Sequence, residues 1–172
     1  TITAIFSEAL KTTPTISISG GLLSNVAMSA GTASFTAADI ATSADGARSV
    51  FAADMDGDGD IDIVSASQDD NTIAWYENNG AVNPSWTAAN IATNADTARS
   101  VFAADMDGDG DMDIVSASLN DNTIAWYENN GASDPSWAAS DIATTANGAF
   151  SVFVADMDGD GDMDIVSASV ND

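Results

Sequence analysis

Residues 49–99 and 100–150 are almost one sequence written twice: they align without a gap and agree at 39 of 51 positions. A third copy starts at Ser151 and reaches Asp172, which stands in the register of Asp70 and Asp121. Upstream, SFTAADIATSADGAR (34–48) matches SWTAANIATNADTAR (85–99), so the repeat begins mid-period near Ser34. Three full periods from there would need 14 further residues, those corresponding to NTIAWYENNGAVNP. Units this similar sit in similar surroundings, because a repeat of about 50 residues buries its apolar face against the next copy of itself. The chain therefore divides into residues 1–31, which stand outside the repeat, and residues 32–172, which hold the units 34–48 (partial), 49–99, 100–150 and 151–172 (partial).

Four short strands fit within one period. RSVFAAD (48–54), DIDIVSAS (60–67), NTIAWYEN (71–78) and WTAANIAT (86–93) are each of strand length and rich in β-branched or aromatic residues. Asn79-Gly80 and Asn130-Gly131 tolerate positive φ and predict a tight turn after the third strand, and Pro84 and Pro135 keep the following connection out of a ladder. Adjacent apolar residues such as Ile63 and Val64 suit strands buried on both faces, as when small sheets stack. No segment has helical periodicity, and TITAIF and TISIS in the first 31 residues read as strands. The expected fold is all-β: a repeat of four-stranded antiparallel propeller-type units, about three of them, the last incomplete.

Between the first two strands lies DMDGDGDIDIV (54–64), with an aspartate at every second position, and its copies DMDGDGDMDIV at 105–115 and 156–166. The chain carries 27 acidic residues against Lys11, Arg48 and Arg99, for a formal charge of −24, and 15 of the acids lie in these three loops. Such a charge argues against nucleic acid or an anionic membrane as partner. Two carboxylates ~5 Å apart repel by roughly 3 kcal/mol at an effective dielectric of ~20, so each loop needs a cation to stay closed. Counting Asp54 as position 1 puts Asp56 at 3, Asp58 at 5, Gly59 at 6, Asp60 at 7 and Asp62 at 9, the oxygen-donor spacing of EF-hand loops without the glutamate at 12, where Ser65 stands. Position 7 offers its backbone carbonyl, and Gly59 permits the sharp bend. The second and third loops repeat the set as Asp105, Asp107, Asp109, Asp111 and Asp113, and as Asp156, Asp158, Asp160, Asp162 and Asp164. A flexible shell of six to eight oxygens suits Ca²⁺ better than Mg²⁺, and three calcium sites are expected.

SVFAADMDGDGDIDIVSAS followed by NTIAWYENNG resembles the FG-GAP and VCBS type repeat of integrin α-chain propellers and many secreted microbial proteins, with the VCBS-like form nearer. The resemblance covers residues 34–172 and implies that Asp62, at the head of the second strand, closes the calcium shell. With the plentiful calcium outside cells, it also implies a secreted or surface location. FSEAL and TPTISIS resemble part of a bacterial immunoglobulin-like repeat, which leaves a truncated neighbouring domain as one reading of the first 31 residues.

Cysteine and histidine are absent, so thiol and imidazole nucleophiles and ordinary zinc sites are excluded, and equivalent aspartates in metal loops do not make an acid–base pair. An enzyme is not expected, and neither is membrane insertion, since no apolar run nears the ~18 residues that insertion needs. Trp75-Tyr76 and Trp126-Tyr127 point to opposite strand faces, so one ring is expected to enter the stack; packing between blades is the preferred reading of the pair, with an accessible ring beside Glu77, Asn78 and Asn79 that stacks on a sugar as the alternative. Trp86, Trp137 and Phe35 share a core register, and Arg48 and Arg99 are placed to pair with an acid of the adjacent unit. The incomplete unit leaves an unpaired edge, and one reading is that the sequence is a segment of a longer propeller whose bounds are accidental. TITAIFSE is a candidate to fill it, within the chain or in a neighbouring copy, on an alignment that sets Ala4 with Ala74, Ile5 with Trp75 and Phe6 with Tyr76. Two functions follow: a calcium-stabilised extracellular structural or adhesive protein that forms a homo-oligomer or filament through open β edges, and a lectin-like module that binds glycans through its WYENN strands.

Overall fold

The computed structural model describes residues 2–7 and 35–171. The predicted TISIS strand, Lys11 and Asp172 lie outside the described residues. Twelve strands are described and no helix: β1 (Ile2–Ser7), β2 (Phe35–Ala41), β3 (Ala47–Ala53), β4 (Asp62–Ser67), β5 (Thr72–Asn78), β6 (Trp86–Ala92), β7 (Ala98–Ala104), β8 (Asp113–Ser118), β9 (Thr123–Asn129), β10 (Trp137–Ala143), β11 (Ala149–Ala155) and β12 (Asp164–Ser169). Each predicted strand of the period is present, shortened or shifted by one or two residues.

The strands form two complete antiparallel sheets, β3-β4-β5-β6 and β7-β8-β9-β10, and two half-sheets, β1-β2 and β11-β12. No sheet closes on another: among the described residues β12 pairs with β11 and β1 with β2 alone. Equivalent strands share one register, Val64 facing Trp75 as Val115 faces Trp126. The turn between the second and third strands requires φ of +57° at Asn71 and +59° at Asn122, within reach of asparagine.

Successive units pack through their first strands, β7 lying against both β3 and β11. The same polar link recurs at each step: the Val101 N–H donates to Ser49 Oγ at 3.3 Å, and the Val152 N–H to Ser100 Oγ at 3.2 Å. Phe51, Phe102 and Phe153 form a ladder with centroids 4.6 and 4.9 Å apart. One core lies between the first and second complete sheets, where Met55, Val64, Ala66 and Trp75 meet Val101, Ala103 and Trp137. A second joins Val115, Ala117 and Ile124 to Val152 and Val154. A third places Ile40, Ala41 and Ala44 against Ala74 and Tyr76, so the β1-β2 half-sheet meets the first complete sheet as that sheet meets the next. Both faces of the middle strands are thus buried, which explains their runs of adjacent apolar residues.

The N-terminal strand takes the role of a third strand beside β2, in a register that differs from the expected one. Ala4 pairs with Ala38 as Trp75 pairs with Ala89, and Ile5 pairs with Ala37 as Tyr76 pairs with Ala88. Ala4 therefore occupies the register of Trp75 and not of Ala74, Ile5 that of Tyr76, and Phe6 that of Glu77. The bulge is shared too, between Ile2 and Thr3 as between Ile73 and Ala74. Composition alone favours matching aromatic to aromatic, but a slip of one residue exchanges the faces of a strand, and pairing with β2 decides between the two.

Candidate metal centre

Each acidic loop joins the first two strands of a sheet, and its own backbone folds the first carboxylate inward. Gly57 and Gly59 adopt φ of +75° and +93°, a region that side chains strain, and their N–H groups donate to the two Asp54 oxygens, each at 2.9 Å. The Asp58 N–H donates to Asp56 Oδ1 at 3.1 Å, and the Asp60 N–H to Asp58 Oδ1 at 2.8 Å. The other loops repeat this, with Gly108 and Gly110 donating to Asp105 and Gly159 and Gly161 to Asp156. The side chains at positions 1, 3 and 5 are thereby held on a curled backbone without any basic residue among them.

Oxygens of Asp54, Asp56 and Asp58 lie within 4.8 Å of one another, as do those of Asp105, Asp107 and Asp109. In the third loop the set is Asp156, Asp158 and Asp164. These three clusters suit a metal ion, with hard oxygen donors at a spacing one cation can span. Burial pushes the Asp56 carboxyl above its ordinary value, and the charges of Asp62, Asp58 and Asp54 add to the effect against the opposing Asp58 N–H. A cation would relieve that repulsion.

The remaining predicted ligands take other places. Asp60 lies over Gly80, where any Cβ would collide with its carboxylate, and Asp111 lies over Gly131 in the same way. This agrees with a position that contributes through its carbonyl, and it ties the acidic loop to the WYENNG turn, a link that no pattern within the loop announces. In the third loop, Asp160 Oδ1 accepts from the Asp162 N–H at 2.9 Å, and Asp160 stands outside the cluster that Asp164 joins.

Asp62 and Asp113 are fully buried. Asp62 accepts from the Met55 N–H at 3.2 Å and the Asn78 N–H at 2.8 Å, and Asp113 from Met106 at 3.2 Å and Asn129 at 2.7 Å. Each carboxylate fastens its loop to the end of the third strand. Burial pushes both carboxyls up, opposed by those backbone donors. Asp164, whose sheet has no third strand, is exposed and accepts from the Met157 N–H alone at 2.9 Å.

One further residue of the motif crosses between units. Asn129 is buried and donates to the Met55 carbonyl of the preceding acidic loop at 2.8 Å and to the Met112 carbonyl of its own at 3.0 Å. Asn78 makes the corresponding bond within its own unit, to Ile61, at 3.0 Å.

The aromatic pair does not present a free ring. Trp75, Tyr76 and Tyr127 are all buried and Trp126 is half-buried, because stacking covers both strand faces. Trp75 meets Trp137 of the next sheet edge-on at 6.5 Å, and Tyr76 and Tyr127 reach Ser65 and Ser116 through their hydroxyls. Arg48 donates to Gln68 at 2.8 Å, and Arg99 lies over the Phe150 ring at 5.3 Å.

The FG-GAP-like repeat family matches the chain twice, over residues 54–116 and 107–167, which together exceed half its length. Each match starts within an acidic loop and extends into the β4-type strand of the next unit, so the family pattern spans the loop, the sheet and the junction described above. No curated protein and no solved structure matches the chain. On its acidic loops and its repeated four-stranded antiparallel sheets, the chain belongs to the FG-GAP-like repeat family.

Proposed function

We propose that this protein is a calcium-stapled structural or adhesive repeat protein of the extracellular space, built of propeller-type blades and self-assembling through its open β edges. The carrying observation is the recurrence of a three-carboxylate cluster on the loop between the first two strands of three successive units, with Asp164 at the head of β12 standing in for Asp160 in the third. Calcium fits a loop that offers several carboxylates and carbonyls in a flexible curl, and binding it fixes the first hairpin of each unit. A chain of formal charge −24 with three basic residues has no internal means of neutralising these loops. Millimolar calcium outside cells meets that need without a regulatory device, which supports the extracellular placement. The glycan-binding alternative loses its rings to the interior of the stack.

Isothermal titration with calcium and magnesium, with thermal melts in chelator and in calcium, tests the reading. Binding of three calcium ions per chain, weaker magnesium binding and a higher Tm in calcium are expected. A chain that takes up no calcium at millimolar concentration overturns it.

A further inference from the structure

We infer that the chain holds a fourth cation site, apart from the acidic loops: the cavity where the β6–β7 crossover meets the second complete sheet takes a hydrated divalent ion between Asp121 and Asp141. This site goes beyond the loop reading and stands or falls without it.

The site lies at the far end of the sheet from the loops. β8 runs from Asp113, at its acidic loop, to Ser118, and at about 3.4 Å per residue this six-residue strand sets its ends roughly 17 Å apart. Beyond Ser118 the chain turns at Asp121 and returns as β9. A cavity of about 320 Å³ opens there, walled by Ser118, Asp121, Thr123 and Tyr127, by Asp141 on β10 and by Asn94 of the crossover from the first complete sheet. It has room for an ion with its inner waters, each taking about 30 Å³. No basic side chain stands in this wall.

Two oxygens of the wall lack the partners that an interior demands. Ser118 is 2% exposed, and no hydrogen bond among the described residues engages its hydroxyl, whereas Ser116, on the same strand face, is bonded to Tyr127. Asp121 Oδ2 accepts from the Asp96 N–H of the crossover at 3.2 Å, but Asp121 Oδ1 is buried with no partner. Buried polar atoms are ordinarily satisfied, so both oxygens point to a guest. Charge decides which guest. Burial pushes the Tyr127 hydroxyl up, and the charges of Asp121 and Asp141 push it further, against its bond to Ser116. Two carboxylates thus act on one wall of the cavity, and a hard cation with its waters serves the oxygens and cancels the charges together.

The first complete sheet supplies the comparison. Ser67, Asp70, Thr72 and Tyr76 repeat the wall, and Asp70 Oδ2 accepts from the Asp45 N–H at 3.2 Å while its Oδ1 is likewise buried with no partner. Asn90, however, stands in the place of Asp141, pairing with Ala74 as Asp141 pairs with Ala125. One charge is missing, so the ion is assigned to the second sheet alone. There it ties the crossover, through Asp96 and Asp121, to β9 and β10, and so fixes one sheet against the next.

Mn²⁺ is the probe, a paramagnetic hard cation that takes the same oxygen ligands. Added in trace to the isotope-labelled chain, it is expected to broaden the amide signals of Ser118, Thr123 and Tyr127 as well as those of the acidic loops. Asp141→Asn, at an exposed position where the first sheet already carries Asn90, is expected to melt as the parent chain does in chelator and to lose the broadening at Ser118 and Thr123 while the loops keep theirs. Asn90→Asp is expected to acquire broadening at Ser67 and Thr72. Broadening in the loops and none at the β8–β9 amides overturns the site and leaves the loop reading intact; broadening at those amides and none in the loops does the reverse. Broadening at Ser118 and Thr123 that persists unchanged in Asp141→Asn also overturns the site.

Discussion

Three equivalent aspartates in two different surroundings give a sharp test of what the buried carboxylate does. Asp62 and Asp113 each accept two backbone N–H bonds in the interior, whereas Asp164 accepts one at the surface. Replacing Asp62 by Ala removes two charge-assisted bonds, each contributing about 1.5–3 kcal/mol, and leaves the Met55 and Asn78 N–H groups without an acceptor. Against this stands relief from burying a charge, whose cost is evident in the raised carboxyl of Asp62. The net loss is set at about 3 kcal/mol, a fall of roughly 6–12 °C in Tm for a chain of this size. Asp113→Ala behaves alike, and Asp164→Ala costs about 1 kcal/mol or less in the single chain, since water replaces its one partner.

Thermal unfolding followed by circular dichroism in chelator isolates these bonds from any metal. Hydrogen exchange at the Asn78 amide locates the damage, which is expected to be fast exchange there in Asp62→Ala and unchanged exchange in Asp164→Ala. Equal losses for Asp62→Ala and Asp164→Ala in chelator, or a loss for Asp62→Ala that appears only in calcium, would refute the bridging role and make Asp62 a ligand alone.

Stability should change its pH dependence with calcium. The carboxyls of Asp56, Asp62 and Asp113 are raised in the metal-free chain, so there the folded state holds protons that the unfolded chain has released between the unfolded and folded pKa values. In chelator, stability should therefore fall as pH rises through that window above the ordinary carboxylate value near 4, whereas in calcium the metal-held carboxyls stay ionised, so stability should be level through that window and be lost only as pH drops below about 4; melts across both ranges distinguish the two. Asn129→Ala removes a buried side chain that bonds two successive acidic loops and should cost about 2–4 kcal/mol, clearly more than Asn78→Ala, as measured by urea denaturation. Thr97 holds φ at +60°, where the other units have Gly46 and Gly148. Thr97→Gly should relieve about 1 kcal/mol of backbone strain, lessened by loss of the 2.7 Å bond from Asn120 to its hydroxyl, so a small rise in Tm is expected.

What could be read from the chain alone was whatever a single unit contains. The period, the four strands and the alternate aspartates are local facts, and alternate side chains on a curled loop converge with or without knowledge of the neighbours. What the structure adds depends on a neighbouring unit or strand. Trp75 and Tyr76 do face opposite ways, but a sheet stacked on both sides hides both. Asp62 looks like one more loop aspartate until the end of β5 brings the Asn78 N–H to it. Asp60 and Gly80 are 20 residues apart, and only the return of the third strand sets them together. The register of β1 was out of reach for the same reason, since the partner that sets it, β2, is 28 to 39 residues away and the aromatic match pointed to the wrong face.

The same dependence on neighbours orders the stability of the chain. In a stack whose units touch only the next ones, each gains from its own fold and from two junctions, and an end unit lacks one junction. Met55 is buried between two units, Met106 is half-covered and Met157 is exposed, three positions of one repeat graded by how much stack lies behind them. The β11-β12 half-sheet also lacks the third strand that gives Asp62 and Asp113 their second donor. Its acidic loop, with Asp164 drawn into the carboxylate cluster in place of Asp160, therefore relies most on a cation and least on packing. Amide exchange should accordingly slow from β12 to β8 in the free chain, with calcium protecting the third unit more than the second.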